Sequence, residues 1–518
     1  MNLGRYSAYW ARMHGGRPAL VFKGQSLSWS QFDAQADGVA AQLQAMGVGA
    51  GDRVGVMLGN CTQWAVSYAA ILKAGAILVP LNPRYGRNEL RLILAQIDCA
   101  AVVSQPELIA NADERWANAV DAGAVAIYPM RGDAAPCSFA DAAGSGARAK
   151  PVFTAPDDTA IISFTSGSTG LPKGAMLTHQ GLFAMACNQI LTFGWSSEDR
   201  TLLLAPFAFT GGCVTVFTPA FVAGGCVYIE DVPDPGRALQ LIMQEGITSV
   251  CAVPILFERI AASPDFEQAD LSKLRTGITG GAPVSEALLK RYLDRGTLIR
   301  QTYGCTEACG MIAAPSAEVA VSKPWSCGDA LPSLEIRLVN EEGQDCAQGE
   351  SGEIWLRGVQ LLKGYWGLPE ADAQSWTDGW FRSGDMGLRD EQGQLRIVDR
   401  KKNMIISGGV NIYAAEVERE ISLLPGVAEV LVFGQPDAGW GERVVAVVHG
   451  QDLDGEDLLD ACRRELGGYK APKEIIVSAT PLPRTTSGKI SRAQIDHYYQ
   501  SLAASPRAVA GASARRAG

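Results

Sequence analysis

Short, uninterrupted apolar runs alternate with helical segments through the first half of the chain, and this alternation is the strongest constraint on its fold. Strands that are apolar throughout are typical of parallel sheets with helices packed on both faces. The pattern therefore predicts an α/β fold with buried parallel strands. The runs are RVGVML (53–58), AILVPL (76–81), AIISF (160–164), TLLLA (201–205), VYIE (227–230) and TSVCAV (248–253).

The segments between these runs carry helix signals. Apolar residues recur at helical spacing from Phe32 to Met46, with Ser30 as the expected N-cap and Gly47 as the expected stop. Beyond about residue 325 the pattern changes, because LEIRLVN (334–340) and GEIWLRG (352–358) alternate polar and apolar residues between Gly-rich turns. These later segments predict antiparallel strands.

Composition and charge exclude several classes of function. The formal net charge of −10 argues against a nucleic-acid partner, since phosphate repels an acidic surface. Twelve cysteines without a CxxC pair favour a reducing cytoplasm, and the N-terminal segment lacks the apolar stretch of a secretory signal. Residues 201–229 carry no charge, but prolines and glycines interrupt them, so buried strands are predicted there rather than an integral membrane span. A cytoplasmic protein is expected.

A loop rich in glycine and hydroxyl groups, TSGSTGLPKG (Thr165–Gly174), follows one of the apolar runs. Its glycines allow close backbone approach to an anion, its hydroxyls add donors, and Lys173 adds a positive charge. It differs from the Walker A loop in its Gly–Lys spacing, and Pro172 and Gly174 oppose a helix starting at the lysine. Taken alone, the loop predicts polyphosphate binding, with a flexible linker as the alternative.

Further motifs follow this loop in order along the chain. With it, they resemble the signature motifs of the adenylate-forming (AMP-binding) superfamily, which includes acyl-CoA synthetases, fatty-acid–CoA ligases, adenylation domains of peptide synthetases and luciferases. The resemblance extends over about residues 10–500. The motifs are Gly280-Gly281-Ala282-Pro283, QTYGCTE (301–307), Gly352-Glu353 through Gly364-Tyr365-Trp366, RSGD (382–385), Asp399-Arg400 onward to Glu416 and Glu418, and PRTTSGK (483–489).

The resemblance implies the fold class and the domain organisation. We expect an α/β protein whose large N-terminal domain has doubly wound α/β subdomains and a small β-barrel-like subdomain, followed by a small mobile α+β C-terminal domain. Residues 1–399 would form the AMP-binding N-terminal domain and 400–500 the C-terminal AMP-binding enzyme domain. Residues 501–518, rich in Ala, Gly and Arg, are predicted to be a disordered tail.

The resemblance also implies a two-step reaction. An ATP-dependent acyl-CoA synthetase first converts a carboxylic acid to acyl-AMP with release of pyrophosphate, and then transfers the acyl group to coenzyme A with release of AMP. ATP, Mg²⁺ and coenzyme A as co-substrate are therefore expected. Three alternatives remain open at this point: an acyl-AMP ligase that loads a separate carrier protein, a luciferase-like oxygenase, and a nucleotide sensor without activity.

Roles for individual residues follow from the motifs they occupy. Lys489 would bridge the carboxylate and the α-phosphate during adenylation, Glu307 would hold Mg²⁺, and Thr306 would contact the α-phosphate. Asp385 would accept hydrogen bonds from the ribose hydroxyls, and Arg400 would reach the ribose from the hinge side. The other expected ATP- and AMP-binding residues are Thr165, Ser166, Gly167, Ser168, Thr169, Gly170, Lys173, Gly281, Ala282, Gln301, Thr302 and Tyr303, the last packing on adenine.

The second step and the choice of acid depend on other positions. Lys402 is the expected hinge residue, and Gly408 and Gly409 the glycines past which the pantetheine arm runs. The expected acid pocket contains Phe209, Thr210 and Gly212. Peptide-synthetase domains usually have Asp where this chain has Thr210, so amino acids are unexpected, since their ammonium would be unpaired. A hydrophobic acid is predicted: fatty, alicyclic or aromatic.

Overall fold

A computed structural model of the chain describes residues 1–116, 119–132, 134–165, 172–282, 284–408, 410–437, 439–466, 470–484 and 490–503. The chain divides into two compact units: Met1–Ile336 with Leu356–Arg382, and Arg337–Trp355 with Ser383–Gly518. The predicted domain boundary at residue 399 is not one of these division points and stays a prediction. Of the predicted tail, residues 504–518 lie outside the described residues.

Two large sheets in the first unit confirm the α/β class. In the described residues one sheet has seven strands, in the spatial order Cys137–Ser138, Ala126–Pro129, Cys99–Ser104, Arg53–Met57, Ile77–Pro80, Thr159–Thr165 and Lys173–Thr178. The other has nine, in the order Asp329–Ala330, Gly310–Ala314, Ile299–Cys305, Thr276–Gly280, Ser249–Ala252, Arg200–Leu203, Cys226–Ile229, Pro18–Phe22 and Gln25–Ser28.

Each predicted apolar run is a strand of one of these sheets. The central pairings are parallel, as the continuous apolar pattern predicts, whereas the strands at the edges pair antiparallel. One antiparallel edge is formed by Thr159–Thr165 and Lys173–Thr178, the two strands that flank the Gly-rich loop. The loop therefore connects the strands of a hairpin.

Helices cover the sheets. The helix predicted from Phe32 begins at Trp29, and its N-cap is Ser28 rather than the predicted Ser30. The correction has a local cause: Ser28 Oγ accepts from the Gln31 N–H while Gln31 Oε1 accepts from the Ser28 N–H, which completes a capping box. The α-helices of the first unit are Arg5–His14, Trp29–Ala45, Thr62–Lys73, Arg87–Ile97, Pro106–Ile109, Phe139–Gly144, His179–Phe193, Thr218–Ala223, Pro235–Gln244, Pro254–Ala261, Glu286–Leu293, Ala317–Ser322 and Pro369–Ser375.

A third sheet contains strands that run across the division between the units. Its strands are Leu334–Val339, Gly352–Gly358, Trp380–Arg389 and Trp376–Thr377 in spatial order, with Leu395–Arg400 pairing with Trp380–Arg389. Strand Trp380–Arg389 pairs antiparallel with both Trp376–Thr377 and Leu395–Arg400, as predicted beyond residue 325. These strands form the small β-rich subdomain of the expected fold.

The C-terminal part of the second unit is a small α+β structure. Strands Val410–Tyr413, Met404–Ser407, Gly441–Gly450 and Val427–Asp437 pair in this order, and Glu474–Ser478 pairs with Gly441–Gly450. The helices are Ala414–Ser422, Gly455–Glu465 and Ile495–Ala503. In the described part of the chain, no helix is long and apolar enough to cross a membrane.

Asn60 joins the carboxyl-terminal ends of strands from both large sheets. Its side-chain amide donates to the carbonyls of Ala205 and Glu230, at 3.1 and 3.0 Å, and its Oδ1 accepts from the N–H of Phe207 at 2.8 Å. The Phe207 ring then stacks on Trp64, with centroids 4.3 Å apart. These contacts fix the segment that follows strand Arg200–Leu203, where the acid-pocket residues are predicted.

His179 starts helix His179–Phe193 directly after the hairpin, where it is 1% exposed and its Nδ1 accepts from the Leu3 N–H. Burial, and then the nearby N-terminal ammonium, lower its pKa from 6.5 to about 4. The unfolded chain therefore takes up a proton below pH 6.5 that the folded chain resists until about pH 4. We expect this group to remove about 3 kcal/mol of stability as the pH falls through that interval.

A comparison of urea unfolding at pH 7 and pH 4.5 for wild type and His179→Gln checks this expectation. Gln keeps a hydrogen-bond acceptor but does not titrate, so the variant should lose less stability on acidification. The same pH dependence in both proteins would contradict the assignment.

Candidate active site

The Gly-rich loop is anchored by its two flanking residues. Thr165 ends one hairpin strand, Lys173 begins the other, and the two form a cross-strand pair. Lys173 thus opens a strand, not the helix that a Walker A lysine would begin. The predicted phosphate-binding residues between them, Ser166, Gly167, Ser168, Thr169 and Gly170, lie outside the described residues.

A chain of hydroxyl groups connects three predicted motifs. Ser163, on the strand before the loop, lies 2.8 Å from Thr210 between the two hydroxyl oxygens. The hydroxyl oxygen of Thr210 lies 2.9 Å from that of Thr306. The predicted acid-pocket threonine therefore lies between the phosphate-loop strand and the threonine predicted to contact the α-phosphate.

A second group of contacts brings together Lys173 and Glu307. The Tyr365 hydroxyl donates to Glu307 Oε1 at 3.1 Å, and the Lys173 ammonium lies 5.4 Å from the centroid of the Tyr365 ring. The predicted phosphate-loop lysine and the predicted Mg²⁺ ligand therefore contact the same tyrosine. Tyr365 lies in the GYW stretch, and no role for it follows from the sequence, because its contacts with distant segments have no sequence signal.

The strand that ends in the YGCTE motif positions the predicted adenine-side residues. Thr302 pairs with Gly280 on the neighbouring strand, and its hydroxyl donates to the Thr279 carbonyl at 3.2 Å. Gln301 donates to the Cys327 sulfur at 3.6 Å, and Tyr303 is buried. Beyond the neighbouring strand, Gly281 has φ of +76° and Ala282 is exposed.

The predicted acid-pocket residues lead into an unusual helix. Phe209 is half-buried, and its carbonyl accepts from the Cys213 N–H. Residues Gly211–Phe217 form a π-helix, which leads into helix Thr218–Ala223. Gly212 is required there, since a Cβ would lie 2.3 Å from the Pro206 carbonyl oxygen. π-Helical turns of this kind are frequent at functional sites.

A buried amide, which the sequence analysis did not single out, fixes the chain after Glu307. Gln360 is 0% exposed, and its Nε2 donates to the carbonyls of Ala308 and Met311 at 2.7 and 2.5 Å. Its Oε1 accepts from Asn188 and Ser333, both at 3.0 Å. All four hydrogen bonds of the amide lie within the first unit. They join the segment after Glu307 to Asn188 and Ser333 through the Gln360 side chain.

In the second unit, Asp385 and Arg400 form a cross-strand pair. Asp385 is buried, and Arg400 Nε lies 3.2 Å from Asp385 Oδ1. Desolvation, and then the positive charge of Arg400, lower the pKa of Lys402. The two predicted ribose ligands, Asp385 and Arg400, therefore lie together. The charges of both affect the pKa of Lys402, the predicted hinge lysine.

The predicted coenzyme A residues are only partly described. Gly408 has φ of +60°, and its N–H donates to the Trp440 carbonyl at 2.8 Å. A Cβ on Gly408 would lie 2.8 Å from the Trp440 ring. Gly409 and Lys489 lie outside the described residues.

The donor chemistry around Glu307 fits Mg²⁺. This ion is usually held by one or two carboxylates together with water and substrate phosphates, not by an all-protein cage. Among the described residues, no three His, Cys, Asp or Glu side chains are grouped to hold a metal. Glu307 is half-buried and contacts Tyr365 through one of its oxygens.

Two families match the chain in sequence. The AMP-binding enzyme family matches residues 8–366, which include the loop and Glu307. The AMP-binding enzyme C-terminal domain matches residues 416–489 and so ends at Lys489.

Curated relatives and solved structures match over nearly the whole chain. Feruloyl-CoA synthase of Amycolatopsis sp is 39% identical over 95% of this chain and 98% of its own length. Long-chain-fatty-acid–CoA ligase FadD13 of Mycobacterium tuberculosis is 34% identical over 91% and 93%. The crystal structure of ATP-bound MatB from Rhodopseudomonas palustris is 29% identical, covers 96% of this chain with 99% of its own, and superposes with a TM-score of 0.86.

Proposed function

We propose residue roles and a substrate class on the premise that this chain belongs to the AMP-binding enzyme family, as its match over residues 8–366 shows. Its relatives are CoA ligases, and the chain is an AMP-forming acid–CoA ligase, an acyl-CoA synthetase. The catalytic and binding residues, and the class of acid that the enzyme activates, remain to be assigned.

The reaction demands positioning more than acid–base catalysis. A carboxylate is a poor electrophile, and joining it to AMP supplies a good leaving group. The enzyme must hold two anions, the carboxylate and the α-phosphate, in line while negative charge moves to pyrophosphate. Cations and hydroxyl donors at fixed positions meet this demand.

The observation that carries the proposal is the meeting of three motifs in the first unit. Thr210, Thr306 and Ser163 form one chain of hydroxyls, and Tyr365 joins Lys173 to Glu307. In our proposal Thr165–Lys173 binds the β- and γ-phosphates and Thr306 the α-phosphate. Glu307 would hold Mg²⁺, which would supply neutralisation of the phosphate charge.

Residues of the second unit have separate roles in the proposal. Asp385 accepts hydrogen bonds from the ribose hydroxyls, and Arg400 reaches the ribose as well. Their pairing at 3.2 Å supports a shared ligand, because both side chains already lie at one place. Lys489 bridges the two anions during adenylation. Lys402 serves the hinge, and Gly408 and Gly409 leave room for coenzyme A in the second step.

The acid we propose is hydrophobic. Thr210 offers a hydroxyl, not a carboxylate, so an α-ammonium group would have no partner at this position. Val214, which follows Thr210 in the chain, and Ala308 and Met311, which follow Thr306, are buried and apolar. The named relatives take an aromatic acid, ferulate, and long-chain fatty acids, and both classes remain candidates. None of the twelve cysteines, all of which lie among the described residues, is in a disulfide, which supports a reducing cytoplasmic location.

A panel of carboxylic acids tests the proposal. Ferulate, other cinnamates, indoleacetate, alicyclic acids and C8–C18 fatty acids are each incubated with ATP and Mg²⁺, with and without CoA, while AMP and acyl-CoA are followed by mass. We expect CoA-dependent thioester with a hydrophobic acid. Adenylate that never becomes thioester would indicate a carrier protein as acceptor, O₂-dependent turnover would indicate an oxygenase, and no turnover would contradict the proposal.

A further inference from the structure

Tyr365 is a buried side chain that contacts two residues of the proposed ATP site, Glu307 and Lys173. It is 6% exposed, its hydroxyl donates to Glu307 Oε1, and its ring faces the Lys173 ammonium at 5.4 Å. Lys173 and Glu307 are far apart in the sequence and lie on different segments of the first unit. A single side chain therefore touches both the phosphate-loop cation and the magnesium carboxylate of the proposed site.

The backbone around Tyr365 is fixed to both neighbours. The Trp366 N–H donates to the Gly174 carbonyl and the Met176 N–H to the Gly364 carbonyl, so the segment lies antiparallel beside the strand that begins at Lys173. The Leu362 N–H donates to the Glu307 carbonyl at 2.7 Å. Main-chain hydrogen bonds thus hold the backbone of the tyrosine relative to the segments that carry both residues.

A second set of contacts fixes the tyrosine from the other side. The Tyr365 N–H donates to Asp372 Oδ1 at 2.7 Å. Gly364 has φ of +147°, and a Cβ there would lie 2.7 Å from Asp372 Oδ2. The glycine therefore permits the close approach of Asp372, which orients the tyrosine backbone.

The hydroxyl is suited to orient a carboxylate that binds a cation. The Tyr365 hydroxyl donates to Glu307 Oε1 at 3.1 Å, so one oxygen of the carboxylate already has a buried donor. A donor on one carboxylate oxygen fixes the rotation of the group and so directs the other oxygen. Partners of this kind typically change metal affinity 10- to 100-fold when they are removed. The ring face attracts the Lys173 ammonium by a cation–π interaction.

We propose that Tyr365 is a positioning residue that orients the Glu307 carboxylate for Mg²⁺ and holds Lys173 beside it, and thereby sets the magnesium requirement of ATP binding. The inference rests on the proposed function, since it presupposes that Glu307 and Lys173 serve ATP. It goes beyond that function by assigning a role to a side chain that the proposed function leaves without one.

Two substitutions separate the two contacts. Tyr365→Phe removes the hydroxyl and keeps the ring, whereas Tyr365→Leu removes both. The matched control is Tyr292→Phe, because the buried Tyr292 hydroxyl also makes one hydrogen bond, to the Phe257 carbonyl at 2.9 Å, away from the proposed site. All four proteins are first compared by thermal unfolding, so that a change in folding is measured separately.

The main readout is ATP binding by calorimetry at a series of Mg²⁺ concentrations, without acid or CoA. We expect Tyr365→Phe to raise the half-saturating Mg²⁺ about tenfold, while Tyr292→Phe leaves it unchanged. Tyr365→Leu should raise it at least as much and also weaken ATP binding at saturating Mg²⁺, because Lys173 loses its support. Mg²⁺ also binds ATP in solution, but this equilibrium is the same for every variant. It therefore does not affect the differences in half-saturating Mg²⁺ between them.

Pyrophosphate release with a competent acid gives the second readout. The Tyr365→Phe defect should shrink as Mg²⁺ is raised, which a merely structural loss would not do. An unchanged magnesium requirement in Tyr365→Phe, or an equal change in Tyr292→Phe, would overturn the inference. Failure of the wild-type protein to bind Mg·ATP and form an adenylate from any acid would instead overturn the proposed function.

Discussion

Replacing Lys489 by alanine is expected to slow acyl-adenylate formation about 100- to 1,000-fold, the usual loss when one group that stabilises developing charge is removed. The ammonium is proposed to bridge two anions, the carboxylate and the α-phosphate, which otherwise repel each other as they approach. The second step has no such requirement. We therefore expect the variant to convert synthetic acyl-AMP and CoA to thioester at a rate within a few fold of wild type.

Pyrophosphate release in the first step and thioester formation from acyl-AMP in the second are the two measurements. Lys290→Ala is the control, because Lys290 is an exposed lysine paired with Asp294 on helix Glu286–Leu293. Lys489→Arg should recover little activity, since a planar guanidinium does not replace a compact ammonium. Equal losses in both half-reactions would contradict the step-specific role.

The Gly409→Leu variant is expected to show the opposite pattern. A leucine side chain would narrow the passage proposed for the pantetheine arm, so thioester formation should fall by at least about 100-fold, the scale on which a displacement of about 1 Å acts. Adenylate formation, which needs no coenzyme A, should continue near the wild-type rate. Acyl-AMP should then accumulate on the enzyme and be released slowly.

Single-turnover mass analysis of acyl-AMP and acyl-CoA measures both steps for this variant. Gly236→Leu is the control, because Gly236 is an exposed glycine in the first turn of helix Pro235–Gln244, where a Cβ would make only an ordinary contact with Asp234 Oδ1 at 3.5 Å. Gly408 is less suitable as a target, since a Cβ there would strike the Trp440 ring. Loss of both half-reactions in Gly409→Leu would argue against a passage for coenzyme A at this position.

The sequence predicts the fold well where periodicity and apolar runs decide it. Each predicted strand of the first 260 residues lies in one of two sheets. The sequence does not predict that these strands divide into two sheets. Tertiary packing decides which strands pair, for example Arg200–Leu203 with Cys226–Ile229. The predicted N-cap, Ser30, lies two residues after the observed N-cap, Ser28. Only the reciprocal hydrogen bonds with Gln31 distinguish the two serines.

The site was predictable through its motifs but not through its contacts. The order of motifs indicates Glu307, Thr306 and Lys173, yet nothing local shows that Tyr365 joins two of them. The hydroxyl chain through Thr210 likewise depends on three segments meeting at one place. The π-helix at Gly211–Phe217 is set by close contact of Gly212 with Pro206, which composition alone does not reveal.

The central claim is that the acid is activated through an acyl-adenylate, and transfer of oxygen from the acid to AMP tests it most directly. A competent acid labelled with ¹⁸O in both carboxylate oxygens is turned over with unlabelled ATP, Mg²⁺ and CoA, and the nucleotide is examined by mass. Attack of the carboxylate on the α-phosphate predicts AMP with one ¹⁸O, unlabelled pyrophosphate, and acyl-CoA with one ¹⁸O. Unlabelled AMP, or ADP with labelled phosphate, would contradict the adenylate route.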